Sequence, residues 1–140
     1  MFKHILIAYD GSAHSQRALE RGLDLAQLTQ AEVTLVTVFG RVPDYLGYPQ
    51  YDVLVAHLTL EAQQTAARAA EYAKTRGFDH ARVEVLDGPV TETILRVADT
   101  RGCDCVVLGS HGRGDVVGLL LGSVSDRVAH YAKVPVLIIK

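Results

Sequence analysis

The sequence predicts an α/β protein, a doubly wound sheet of five parallel strands with helices on both faces. Three observations carry that prediction. Short apolar runs of strand length alternate with longer segments of helical periodicity along the chain. Most of the runs are apolar at nearly every position, as strands covered from both sides must be. The strand–helix alternation repeats from one end to the other, which a parallel sheet with right-handed crossovers satisfies. At 140 residues, with no internal repeat, low-complexity tract or linker, the expectation is one domain over 1–140.

The elements follow in order. His4–Tyr9 (HILIAY) is a short buried strand. Ser12 can cap a helix that runs to about Thr29, with Leu19, Leu23 and Ala26 on one face. Val33–Phe39 is the second strand, rich in β-branched residues. Gly40–Asp52 holds two prolines, two glycines and three tyrosines and reads as a long loop. An Ala-rich helix over about Val53–Thr75 is ended by Gly77. Arg82–Leu86 alternates polar and apolar residues, which suits a strand nearer an edge. Pro89 then opens a third helix whose Ile94, Leu95 and Ala98 face inward. Cys105–Leu108 is the fourth strand, Ser123–Tyr131 the fourth helix and Val134–Ile139 the fifth strand.

Composition narrows the function classes. The chain is 49% hydrophobic and 21% charged, the balance of a folded globular protein. A net charge of -2 gives no electrostatic reason to expect nucleic acid or an anionic membrane as partner. No apolar run approaches the ~18 residues that span a bilayer. A single Lys3 before Ile5–Ala8, followed by polar Asp10, lacks the apolar region of a signal peptide, so a cytoplasmic location is expected. Cys103 and Cys105 are separated by a single residue entering a strand, a poor geometry for a disulfide. Without a second pair they make a weak zinc signal, and they read as small apolar residues entering a buried strand.

The chemistry concentrates after the fourth strand. Five of the 12 glycines (Gly109, Gly112, Gly114, Gly118 and Gly122) fall within Gly109–Ser125. Glycine lets backbone approach a ligand with no Cβ in the way. A loop leaving the carboxyl end of a strand and entering a helix gathers several N–H groups around one point. Gly122-Ser123 adds the positive end of the following helix, a seat for phosphate. Ser123 and Ser125 supply hydroxyls, and Arg113 a cation that binds phosphate in bidentate fashion. The plainer alternative is a flexible turn and a helix cap, with Ser123 and Asp126 as a near capping box. Five glycines, an arginine and two serines favour the anion site. The segment is neither a Walker A loop, having no Gly-Lys-Ser/Thr, nor the dinucleotide fingerprint, which follows a first strand.

Gly109-x2-Gly112-x9-Gly122-Ser123 resembles the nucleotide-binding signature of the ATP-binding branch of the universal stress protein family. The resemblance covers the whole chain. It includes Ile5-Leu6-Ile7 with Asp10-Gly11-Ser12, Gly88-Pro89, and the closing Lys133–Ile139 run. It implies a Rossmann-like fold of the adenine nucleotide alpha hydrolase type, with strand order 3-2-1-4-5. It also implies ATP as ligand and a link to stress responses. Ala8, Asp10 and Val38 are implied to border the adenosine. Gly109, Gly112, Arg113, Gly114, Gly122, Ser123, Val124 and Ser125 are implied to line the ribose and phosphates. Many relatives carry Pro where this chain has Ala8. In the 3-2-1-4-5 order the first and fourth strands are neighbours whose following connections leave on opposite faces. Asp10 and Gly109 both end at that switch point.

Other residues carry two readings each. Asp10 either contacts the nucleotide and helps hold Mg²⁺, or caps the first helix; the roles are compatible. His111 either touches phosphate or stays solvated in the loop. Tyr45, Tyr48 and Tyr51, with Arg41, form either a lid over the nucleotide or a surface packed on the second helix or a partner chain. Val134–Ile139 is almost uniformly apolar at a predicted edge, which suggests pairing with its copy in a homodimer, as the resemblance also implies. A phosphate site without an evident catalytic set suggests a regulatory binding protein, with slow hydrolysis at most and a protein partner still to be identified. The alternatives are an ATPase or a nucleotidyl or phosphoryl transferase, and, less well matched, a phospho-receiver with Asp87 as acceptor.

Overall fold

The computed structural model describes residues 1–40, 47, 49–113 and 120–140. Its elements are β1 (His4–Ala8), α1 (Ala13–Thr29), β2 (Glu32–Phe39), α2 (Gln50–Thr75), β3 (Arg82–Asp87), α3 (Val90–Thr100), β4 (Cys105–Gly109), α4 (Ser123–Tyr131) and β5 (Val136–Ile139). The five strands form one sheet in the order β3-β2-β1-β4-β5, every neighbouring pair parallel. The expected class and strand order are therefore what the chain adopts.

Period-two alternation divides the central strands between two cores. Ile5, Ile7 and Val107 point to the face covered by α1 and α2, where they meet Leu19, Leu23, Ala69 and Ala73. Leu6, Val36, Val106 and Leu108 point to the opposite face, against Ile94, Val97 and Val128 of α3 and α4. Each such fully buried aliphatic side chain contributes ~1.5–3 kcal/mol, so both layers are held by the same strands. At Gly22 helix α1 comes so close to the sheet that an added Cβ would stand 2.6 Å from Cδ1 and 2.8 Å from Cγ1 of Ile7. The start of β1 is tied to the start of β4 by Asp104, whose carboxylate accepts the amides of Lys3 at 2.9 Å and His4 at 3.1 Å.

Local signals set most boundaries. Ser12 caps α1, its hydroxyl accepting the Ser15 amide at 3.2 Å. Beyond one-residue shifts at the ends of β1 to β4, four features differ from the sequence expectation. Helix α2 begins at Gln50 rather than Val53, so the expected loop is shorter and Tyr51 belongs to the helix. Strand β5 begins at Val136 rather than Val134, because Pro135 has no N–H for the ladder; its carbonyl still accepts the Val106 amide at 3.0 Å. In α3 the inward position is filled by Val97 as well as Ile94 and Ala98, while Leu95 is half-buried. The cap of α4 is Gly122, with no side-chain cap bond, so Ser123 and Asp126 do not form a capping box.

Candidate functional site

Strands β1 and β4 lie side by side, and the chain leaves them for helices on opposite faces, α1 on one and α4 on the other. Their carboxyl ends therefore diverge, the place where open α/β sheets take ligands. A cleft of about 500 Å³ opens there, within the range of small-molecule sites.

Its polar wall is built from the turns after β1 and β4. Asp10 is the joint between them. One carboxylate oxygen, Oδ1, accepts the Ser12 amide at 2.9 Å, and Oδ2 accepts the Arg113 amide at 2.9 Å. The Asp10 amide donates to Ser15 Oγ at 3.2 Å. Burial pushes the Asp10 carboxyl up, but hydrogen bonds from Ser12, the Arg113 amide and Ser15 outweigh it and hold it below its ordinary 3.8. Gly109 has no room for a side chain: an added Cβ would lie 2.8 Å from both C and Cβ of His14. Glycine here lets the end of β4 rest against the first turn of α1. The His14 and His111 rings meet edge to face at 5.3 Å, and His111 Nδ1 lies 3.2 Å from Ser110 Oγ.

The start of α4 closes this wall. The Gly122 amide donates to the Ser110 carbonyl at 2.6 Å, and the Ser125 hydroxyl donates to the same carbonyl at 2.7 Å. The Ser125 hydroxyl, expected from the sequence to donate outward, is thus spent on backbone, and Ser125 is buried. The amides of Ser123, Val124 and Ser125 are first-turn groups with no acceptor inside their own helix, and all three residues line the cleft. The cleft also has an apolar part, formed by Ala8, Val36, Val38, Leu108, Val90 and Ile94, and Val124 belongs to the same apolar cluster.

Of the residues singled out in the sequence, Ala8, Asp10, Val38, Gly109, His111, Gly112, Arg113, Ser123, Val124 and Ser125 line this one cleft. Gly122 stands beside it as the cap of α4. Gly114, like Arg41, Tyr45, Tyr48 and Asp115, lies outside the described residues. Asp87 is exposed at the end of the edge strand β3. Sequence reasoning missed the wall supplied by α2, where Leu58, Glu61, Ala62 and Thr65 reach the cleft. Their three- and four-residue spacing, one helical face, was the available signal. Glu61 Oε1 accepts from Arg113 Nη2 at 2.8 Å, joining α2 to the glycine segment. That guanidinium, with His57 and Arg68 nearby, holds the Glu61 carboxyl below its usual range.

Cys103 and Cys105 are both buried free thiols, and among the described residues no group of three His, Cys, Asp or Glu side chains is placed to hold a metal ion. No helix among those residues is long and apolar enough to cross a membrane.

Sheet order, a cleft at the β1/β4 divergence and amides gathered at its rim define a doubly wound α/β protein with an open cleft at the switch point. The model of the universal stress protein family matches residues 1–140. A universal stress protein from the QAH/OAS sulfhydrylase 3' region of Thermus aquaticus is 36% identical over 140 residues, covering 100% of both chains. Among solved structures, the universal stress protein UspA from Lactobacillus plantarum superposes with a TM-score of 0.88 at 23% identity, over 99% of this chain and 97% of that one. A universal stress protein crystallised in complex with cAMP superposes with a TM-score of 0.76 at 26% identity, over 99% of this chain and 97% of that one. The chain belongs to the universal stress protein family.

Proposed function

We propose that this protein binds an adenine nucleotide in the β1/β4 cleft, with ATP the ligand implied by the glycine motif, and that occupancy regulates a stress response. The observation that carries the reading is the meeting of two unlike walls in one cleft of nucleotide size. The apolar residues Ala8, Val36, Val38 and Ile94 suit a base. In the same cleft, the turn from Gly109 to Arg113 and the first-turn amides of α4 suit phosphate. The relative crystallised with cAMP supports the same ligand class. Magnesium fits as an ion carried in by the phosphates, since Mg²⁺ commonly takes one or two carboxylates with phosphate oxygens and water. Asp10 would be that carboxylate, because each of its oxygens keeps a lone pair beyond the amide it accepts.

The reading is a binding protein with slow hydrolysis at most. Of the acid–base groups lining the described cleft, Asp10 is tied to two amides, Glu61 to Arg113, and His111 is in hydrogen-bond contact with the Ser110 hydroxyl. Homodimerisation through β5 belongs to the same proposal. Among the described residues that strand is paired on its β4 side alone, and Leu137 on it is 39% exposed. A bare apolar edge is a hazard that folded proteins cover. The deciding experiment denatures purified protein, identifies the released nucleotide by chromatography, and titrates refolded protein with ATP and magnesium by calorimetry. An adenine nucleotide released and a heat of binding support the reading; neither one appearing removes it. Steady-state turnover above about 1 s⁻¹ would instead indicate an enzyme. Light scattering that finds a monomer at micromolar concentration would remove the dimer.

A further inference from the structure

Arg113 is the cation of the glycine segment, yet in the structure its guanidinium is already engaged. Nη2 donates to Glu61 Oε1 at 2.8 Å, and both residues line the cleft, Glu61 from α2 and Arg113 from the glycine segment. The backbone of Arg113 is anchored separately, by its amide on Asp10 Oδ2 at 2.9 Å. The side chain is therefore free to change partners without moving the loop. Glu61 is also bordered by His57, whose Nε2 lies 3.8 Å from Oε2, and its environment includes Arg68. The Glu61 and Arg113 side chains are 38% and 60% exposed, so a pair of this kind is weak and easily exchanged.

We propose that Glu61 is a specificity-determining residue that occupies Arg113 as a placeholder carboxylate and sets how strongly the cleft discriminates between ligands by their phosphate charge. A phosphate reaching Arg113 must either displace the carboxylate or share the guanidinium with it at close range. Exchange of one anion for another costs less than burying a new one, because the cation stays paired throughout. A retained carboxylate keeps guanidinium donors that the phosphate would otherwise receive. A ligand without phosphate leaves the pair intact. Glu61 therefore lowers affinity for phosphate-bearing ligands relative to their dephosphorylated counterparts, and it does so through Arg113. This inference rests on the nucleotide reading above.

The test compares adenosine, AMP and ATP by calorimetry on the full chain, wild type and Glu61→Gln. Glutamine keeps the acceptor oxygen and the shape but removes the charge. The AMP-to-adenosine and ATP-to-adenosine affinity ratios should each rise by about two- to fivefold in Glu61→Gln, the range that exposed ion pairs support. Unchanged ratios, with all three ligands shifted together, would mean that Glu61 is only a wall and would overturn the proposal. The same substitution made in an Arg113→Gln background should leave the ratios where Arg113→Gln alone puts them; a gain that persists there overturns action through Arg113. If wild type and variants bind none of the three ligands, the nucleotide reading itself fails, an outcome distinct from unchanged ratios.

Discussion

The carboxylate of Asp10 holds the amide of Arg113 at 2.9 Å, joining two turns separated by 103 positions of sequence. One acidic side chain thus sets the spacing of both loops at the switch point. Because its carboxyl is held below 3.8, the stability it contributes is complete above that value and is lost as pH falls through the lowered one. Asp10→Asn should cost ~1–3 kcal/mol at neutral pH, the range for losing hydrogen bonds to a charged acceptor. Urea unfolding at a series of pH values checks this. The gap between wild type and variant should close as the medium becomes more acid than 3.8; a gap of constant size would contradict the role.

Gly22→Ala should destabilise the protein although alanine is the better helix former by about 1 kcal/mol. The new methyl would meet Ile7 at 2.6 Å, and Ile7 is wholly buried with nowhere to retreat. A net loss of ~1–3 kcal/mol is expected from overpacking. Ile7→Val removes Cδ1 but keeps the γ-carbon at 2.8 Å, so it relieves part of the clash, and it should cost about 0.5–1.5 kcal/mol alone. Combined, the two losses should sum to less than their separate values, a coupling that denaturant midpoints will resolve.

Cys103 and Cys105 should be inert in the native state. Burial, with the nearby negative charge of Asp104 and, for Cys103, Glu84, pushes both thiols from 9.0 up to about 11. Because the folded values are raised, the associated stability is complete below 9.0 and lost as pH climbs towards 11. Iodoacetamide at pH 8 should label neither thiol until denaturant is added. Rapid labelling of the native protein would show that the strand opens.

Ser123→Ala tests the phosphate wall directly. Ser123 is exposed in the first turn of α4 and supplies no cap bond, so the fold should be kept. Affinity for ATP should fall by ~1–3 kcal/mol if the hydroxyl meets a charged phosphate. Calorimetry beside a circular-dichroism spectrum separates loss of binding from loss of structure, and undiminished affinity would exclude the contact.

The sheet was legible because its strands obey local rules: HILIA and CVVLG are apolar on both faces, and Ser12 announces α1. The start of α2 was not, since Gln50-Tyr51-Asp52 after a proline shares the composition of the loop before it. Most of the cleft was legible for a similar reason, as glycines and serines cluster in one short stretch. Glu61 was not. A charged residue on an Ala-rich helix reads as solvent-facing, and only the packing of α2 over the sheet brings it opposite Arg113. The engagement of the Ser125 hydroxyl by the Ser110 carbonyl was hidden likewise, because it depends on how closely α4 docks on β4.

That carbonyl has a wider effect. By receiving both Gly122 and Ser125, the oxygen of Ser110 works as a clasp that fastens the first turn of α4 to the tip of β4. The position of that turn is thus set by the sheet itself, and with it the N–H groups of Ser123, Val124 and Ser125 at the cleft. Those donors stand ready before anything arrives to accept from them, so little ordering is left to be done at the moment of capture.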